Sequence, residues 1–300
     1  MSLTAAIVNG AIALLVAPMF DGVARKVRAI IHSRKGPPIV QPYIDILKLL
    51  GKEDLRCTTS VIFRFAPAAA LASFLVVALL TPIIGSGART GVSGDMVTWL
   101  YFLTLGAAAI ILMAAASGNP FAEAGAAREI MMILTVEPIV VAALIAAAIK
   151  AGSLRLTDMA AWNLANGPSV STACAGIAFL LALQATWGKL PFDIAEAESE
   201  VVEGPLIEQS GPNLALLKLA LLIRQMAYAF LLVQVFVPWP ALSPWPLSVA
   251  AALCKVLILF VLSAVVEAVS PRLRIDQSMN IMGRLLFVAL AALAFAVIGV

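Results

Sequence analysis

The segment TWLYFLTLGAAAIILMAAASGNP, residues 98 to 120, contains no charged side chain from Thr98 to Pro120. A second run, Met159 to Gly188, is also free of charge. A helix of about 20 mainly apolar residues crosses the roughly 30 Å hydrocarbon core of a bilayer. The whole chain agrees with these two runs. Its mean hydropathy is +1.02, and it is 62% hydrophobic and 12% charged, against roughly 45–50% apolar for soluble domains. The expected fold class is therefore all-α, a polytopic membrane helical bundle of about eight transmembrane helices. Candidate spans are 2–20, 63–85, 96–117, 129–150, 168–187, 213–237, 247–269 and 281–300. Together they form a single integral membrane domain over 1–300. The last span is the weakest, because Arg284 in its first turn would have to snorkel to the interface.

Eight spans put both termini on one side, and Lys and Arg in short loops choose that side. The first loop carries Arg25, Lys26, Arg28, Arg34, Lys35, Lys48, Lys52, Arg56 and Arg64, and loops on its side add Arg128, Lys189, Arg272 and Arg274. The opposite side offers Arg89, Lys150 and Arg155. The first loop, 21–62, and a later acidic loop, 188–212, should face the cytoplasm, with both termini on the outer side of a cell inner (cytoplasmic) membrane. Basic residues follow the first apolar segment instead of preceding it, so no cleavable signal peptide is expected. The net charge of +3 tracks the membrane and gives no patch for nucleic acid. Cys57, Cys174 and Cys254 are isolated and form no C-x-x-C pair, so no thiolate set for zinc or an iron–sulfur centre is present in the sequence. The single histidine, His32, stands in a basic stretch and is read as a solvated polar residue.

Within the first loop, Val23, Val27, Ile30 and Ile31 of VARKVRAIIHSRK recur at helical spacing with cations on the other faces. This pattern suits an interfacial or docking helix. After Gly36-Pro37-Pro38 a second short helix should start at Pro42, where the missing N–H costs nothing. Tyr43, Ile46, Leu47 and Leu50 would form its apolar stripe. The bland reading is a cationic cover beside anionic lipid. The sharper one is a shaped platform for a partner, using Arg25, Lys26, Arg28, Arg34, Lys35, Gln41, Tyr43, Asp45 and Lys48.

An ionisable side chain at bilayer depth costs about 2.5–3.5 kcal/mol on insertion scales and marks a candidate site. Glu129 opens the fourth span, and Glu137 lies eight residues on, roughly 80° around the helix. Pro138 follows directly and frees the carbonyl of Leu134, which makes room for water beside the carboxyl group. Later spans supply Arg224, Lys255 and Glu267. These groups form either static pairs that fix helix packing, such as Glu137 with Arg224, or a polar file carrying protons or Na+. The stretch GKLPFDIAEAESEVVEGPLIEQSG, 188–211, adds six carboxylates, with no Lys or Arg between Lys189 and Lys218. If helical, it would put Asp193, Glu196, Glu200 and Glu203 on one face, with Glu198 beside them. Without interleaved Lys they repel. A hydrophilic loop, a proton-collecting mouth and a docking surface for a basic partner are the alternatives.

GPPIVQPYIDILKLLGKE (36–53), GAAREIMMILTVEP (125–138) and the 188–211 stretch resemble the ND1/NuoH-like membrane subunit of the complex I superfamily, the respiratory-chain subunit 1 family. The resemblance covers nearly the whole chain. It is strongest toward the membrane-bound NiFe hydrogenase branch, comprising formate hydrogenlyase, hydrogenase-4 and energy-converting hydrogenases. In respiratory complex I the first loop usually has further residues before its Q-P element, whereas here Gly36-Pro37-Pro38 runs almost directly into Gln41-Pro42. The acidic loop there usually carries a proline where Ala195 stands and a tyrosine-bearing segment where residues 204–211 stand. Those elements help line a quinone cavity, so their alteration counts against quinone binding.

The resemblance implies a subunit that is not catalytic alone and binds no cofactor itself. The NiFe centre and iron–sulfur clusters are expected in partners: the hydrogenase large and small subunits, an iron–sulfur protein and an antiporter-like membrane subunit. It also implies that Glu129, Glu137, Asp193, Glu196, Glu198, Glu200 and Glu203 match the family's charged-loop and relay positions. Rival readings are a quinone-site subunit of a complex I-like dehydrogenase, a stand-alone transporter and a purely structural anchor. A transporter predicts internal pseudo-symmetry, which the sequence lacks.

Overall fold

The computed structural model describes residues 3–82, 94–240 and 245–299, and the side chains of residues 3–5, 198, 199 and 245 lie outside that description. The helices are α1 (Leu3–Ile31), α2 (Gln41–Leu50), α3 (Val61–Leu80), α4 (Met96–Ala115), α5 (Pro120–Ala151) and α6 (Leu156–Asn166). They continue with α7 (Val170–Thr186), α8 (Glu198–Val201), α9 (Gly211–Phe236), α10 (Trp245–Val269) and α11 (Ile275–Ile298). Seven of them (α1, α3, α4, α5, α9, α10 and α11) are long and apolar enough to cross a membrane. The shorter apolar α7 has 17 residues, a rise of about 25 Å, and corresponds to the eighth expected span. Arg89, used above to weigh the two sides, lies outside the described residues.

Local chemistry sets several boundaries. Asn119 caps α5 by accepting from the Phe121 N–H, with Pro120 in the first turn, and left-handed Gly152 (φ 63°) ends the helix. Ser169 and Thr172 form a capping box at the start of α7, which satisfies donors that would otherwise be orphaned.

The bundle is arranged around α9. It packs against α1, α2, α3, α6, α7 and α10, while α5 joins α4, α7 and α11 into a second group. Small residues let these helices approach closely, as in other membrane bundles: Ala143, Ala146, Ala175, Ala220 and Ala229 are fully buried. At Gly106 an added Cβ would come within 2.5 Å of the Phe74 ring, so α4 can lie against α3 only because no side chain is there. Polar pins fix depth and register. Asn9 donates to the Thr81 carbonyl (2.9 Å), and Trp99 Nε1 donates to the Thr81 hydroxyl (3.0 Å). Asn163 of α6 donates to the Val235 carbonyl (2.7 Å) at the end of α9. Large apolar side chains such as Phe287, Ile298 and Leu134 are more than 70% exposed, as expected where the surrounding solvent is lipid.

Three features refine the expected layout. Within 21–62 the helical spacing read from Val23 to Ile31 falls on the end of α1, which runs unbroken to Ile31, and the short helix expected at Pro42 is α2; Asp21, Arg25 and Arg28 find partners across the bundle. The helix α6 was not expected; its Trp162 and Asn163 interrupt an otherwise alanine-rich run, and Gly167 closes it. The acidic stretch forms only the four-residue α8 and a 3-10 turn at Gly204–Leu206. Unscreened carboxylates oppose a longer helix, and the backbone instead folds back on α5. Gly204 is left-handed (φ 53°), and a Cβ there would meet the Ala195 carbonyl oxygen at 2.0 Å.

Gly204→Val should therefore detach the acidic loop, costing about 2 kcal/mol or more. Faster protease cleavage within 190–210 and a lower unfolding temperature of the purified membrane complex would register the change.

Candidate functional site

The extension of α1 beyond its apolar run carries the first part of the site. Asp21, 6% exposed, accepts from Arg25 Nε at 2.7 Å one turn on. Arg25 also reaches Asp45 of α2 at 3.3 Å, and Gln41 donates to the other Asp45 oxygen at 2.8 Å. Arg28 pairs with Glu267 of α10. Lys189, in the connection after α7, lies 3.7 Å from Asp21 and over the rings of Trp187 and Phe260. Arg272, beyond α10, donates to Asp193 of the acidic loop at 2.6 Å. Arg224 of α9 pairs with Glu129 of α5 at 3.3 Å. A pair of this kind is held by both partners, because removing one leaves a charge in low dielectric, a loss of about 3–5 kcal/mol.

These groups wall a cavity of about 560 Å³, lined among others by Asp21, Lys189, Asp193, Glu196, Glu203, Arg224 and Glu267. A polar space of that size is roomy enough for water. A small cavity of about 40 Å³ adjoins it and contains Glu129, Glu137 and Tyr228. Arg224 and Gly188 line both spaces. The Arg224–Glu129 pair thus stands between the loop carboxylates and Glu137, which lies deeper along α5 beside Tyr228. Tyr228 packs edge-on against Trp99 and Phe179.

Two loop groups have shifted titration. Glu196 is exposed at the cavity wall, and the protein around it still partly buries its carboxyl group. That burial, reinforced by the Glu129 and Asp193 carboxylates and opposed by Arg224, pushes its pKa up to about 7. Burial pulls Lys189 down, against the Asp21 and Glu267 carboxylates that favour its charged form. A carboxyl near neutrality in a wet cleft can take up and release protons at physiological pH.

The sequence candidates divide clearly. Glu129, Glu137, Asp193, Glu196, Glu203, Arg224 and Glu267 are gathered around the two neighbouring cavities. Glu200 turns away to pair with Arg128, so the four carboxylates expected on one helical face do not share one. The side chain of Glu198 lies outside the described residues. Lys255 stands apart and donates to the Val237 carbonyl at the end of α9 (2.9 Å). Arg224 pairs with Glu129 rather than Glu137.

Of the docking candidates, Arg25, Gln41 and Asp45 bind one another, Arg28 turns to Glu267, and Tyr43 donates to the Leu15 carbonyl. Lys26, Arg34, Lys35 and Lys48 are exposed, next to exposed Ile30, Val40, Leu47 and Leu50. Sequence reasoning did not place Asp21, Lys189, Arg272 or Tyr228 in the site. The one available signal was the Asp21–Arg25 spacing of four at the end of an apolar run.

A bundle with seven helices apolar enough to cross a membrane, a charged cavity and a smaller acidic one beside it along α5 defines a class of membrane subunit. The chain belongs to the NADH dehydrogenase family, whose profile matches residues 3–298. It is 37% identical to hydrogenase-4 component C of Escherichia coli (strain K12) over 270 residues, 87% of this chain and 85% of that protein. It is 32% identical to formate hydrogenlyase subunit 4 of the same organism, covering 92% of each. It is 30% identical to an NADH-quinone oxidoreductase subunit from Helicobacter acinonychis (strain Sheeba), covering 93% of this chain and 90% of that one. Its fold matches a chain in the structure of the membrane-bound sulfane sulfur reductase, an archaeal respiratory membrane complex. That match has a TM-score of 0.89 at 28% identity, over 99% of this chain and 100% of that one.

Glu196 provides a pH test. Its folded-state pKa lies above the value of an exposed carboxyl, so its contribution to stability is complete below the unfolded pKa and is lost as pH rises through about 7. Glu196→Gln should therefore gain thermal stability relative to the unsubstituted complex at pH 8 and show little difference at pH 5. Parallel melting curves across that range would contradict the assignment.

Proposed function

We propose that this chain is the membrane-anchoring, ion-coupling subunit of a membrane-bound NiFe hydrogenase complex of the formate hydrogenlyase or energy-converting type. Its similarity to hydrogenase-4 component C and formate hydrogenlyase subunit 4 supports that branch. The observation that carries the coupling role is the pair of neighbouring cavities that share Arg224 and Gly188, one lined by Glu196 and Asp193 and the other by Glu129 and Glu137. In this reading the chain holds no redox group. The NiFe centre and iron–sulfur clusters belong to large, small and iron–sulfur subunits seated on the basic, apolar surface around Lys26, Arg34, Lys35 and Lys48. An antiporter-like subunit lies beside it in the cell inner membrane, with both termini of this chain outward.

Protons entering from the loop side would exchange with Glu196, which lines the larger cavity and has its pKa pushed up to about 7. Arg224 pairs with Glu129, and it can leave that side chain only if another anion or a water file takes its place. Glu137 is the next acid inward, beside the backbone that Pro138 leaves without a donor. Electron transfer in the soluble arm would drive this file by changing the charge presented at the Arg28–Glu267 and Lys189–Asp21 contacts.

A second reading, the quinone-site subunit of a complex I-like oxidoreductase, is favoured by the similarity to the NADH-quinone oxidoreductase subunit. Identification of co-purifying subunits separates the two. A subunit with two C-x-x-C pairs fit for nickel supports the hydrogenase, whereas flavin- and NADH-binding subunits support the quinone enzyme.

Glu137→Gln should preserve assembly and electron transfer to protons in detergent, and it should remove most of the ΔpH or Na+ gradient in sealed vesicles. Normal gradients in that variant would take Glu137 out of the route.

A further inference from the structure

A cavity remote from the charged one lies where α10 and α11 diverge over α7. Its volume is about 680 Å³, within the ~300–1,000 Å³ range of small-molecule pockets. Leu180 and Leu183 form its floor, Leu259 and Leu262 one wall, and Leu285 and Val288 the other. Leu262 and Val288 are more than 40% exposed, so the groove opens sideways toward lipid.

Three polar side chains break this apolar lining: Gln184, which donates to the Leu190 carbonyl (2.6 Å), Arg284 and Ser263. Arg284 is exposed and is the one charged residue on the walls among the described residues. Ser263 is only 5% exposed, and its buried hydroxyl oxygen has no protein hydrogen-bond partner. Arg284 sits nine residues into α11, about 14 Å from the end that carries the basic loops. Side chains on a helix lean toward its N-terminus, so the guanidinium leans back toward the headgroup layer while Leu259 and Val288 line the groove at greater depth.

We propose that this groove is a binding site for one anionic phospholipid of the leaflet on the loop side. Arg284 holds the phosphate, Ser263 donates to an acyl-ester carbonyl, and an acyl chain fills the apolar recess. Charge complementarity selects this occupant: a lone cation with no wall carboxylate calls for an anion. The recess is too apolar for free phosphate. The site is independent of ion movement.

The test uses the membrane complex purified through this chain, depleted of lipid in detergent. It is probed with phosphatidylglycerol carrying a photoreactive acyl chain, and adducts are mapped by mass spectrometry. Adducts should fall on Leu259, Leu262 and Val288, and excess unlabelled phosphatidylglycerol should compete for them where phosphatidylcholine does not. Arg284→Gln should lower labelling roughly tenfold, and Arg284→Lys should restore most of it. Competition by phosphatidylcholine at the same concentration would overturn the proposal without any variant. So would unchanged labelling in Arg284→Gln, or cross-linking of a neighbouring subunit's helix to a photoreactive residue at position 262.

Discussion

Charge cannot stand alone inside a bundle surrounded by lipid, and that constraint organises this molecule. Most of the ionisable groups below the loops are drawn from α1, α5, α9, α10 and the 188–211 loop and line one polar cavity or the smaller space beside it. The pairs Arg25–Asp21, Arg28–Glu267, Arg272–Asp193 and Arg224–Glu129 each join groups that would be costly in isolation. Helix packing follows from them as much as the reverse. The helix α1 extends to Ile31 because its last turns carry the cations that Glu267 and Asp45 require.

The same economy explains the acidic loop. Six carboxylates in one unbroken helix would repel along a shared face. The chain avoids this by turning at Gly204 and sending Glu200 to Arg128 while Asp193 meets Arg272. Glu196 and Glu203 then face the cavity without a cation of their own in the loop. This leaves Glu196 poised near neutrality, a property that depends on the fold back over α5 and not on local sequence. Lys189 is the counterpart: its stem lies over Trp187 and Phe260, and burial weakens its hold on its proton.

The two parts of the surface have separate physical characters. Around the basic loops, exposed cations alternate with exposed Ile, Val and Leu, which suits a protein partner more than bare water. Along the membrane flanks, apolar side chains face lipid, and a recess among them carries Arg284 and Ser263. Interior alanines and Gly106 allow the helices between these surfaces to pack closely, and the polar cavity is walled by their side chains.

Composition and periodicity were enough to identify an all-helical membrane protein and eight apolar segments, since a span of 20 apolar residues has few alternatives in water or lipid. The motifs at 36–53, 125–138 and 188–211 carried the family. The intramembrane rarity of Glu129, Glu137, Arg224 and Glu267 marked them individually, because each is costly wherever its helix goes. Sequence could not say which acid meets which base. Arg224 chooses Glu129 over Glu137, Lys255 leaves the cluster for a helix-end carbonyl, and Asp21 and Lys189 enter it. Those choices depend on the rotation and depth of helices far apart in the chain, set by close alanine contacts and by pins such as Asn9–Thr81 and Asn163–Val235. The extent of α1 beyond residue 20 was likewise a tertiary decision: cationic turns stay helical there because acids on other helices are waiting for them.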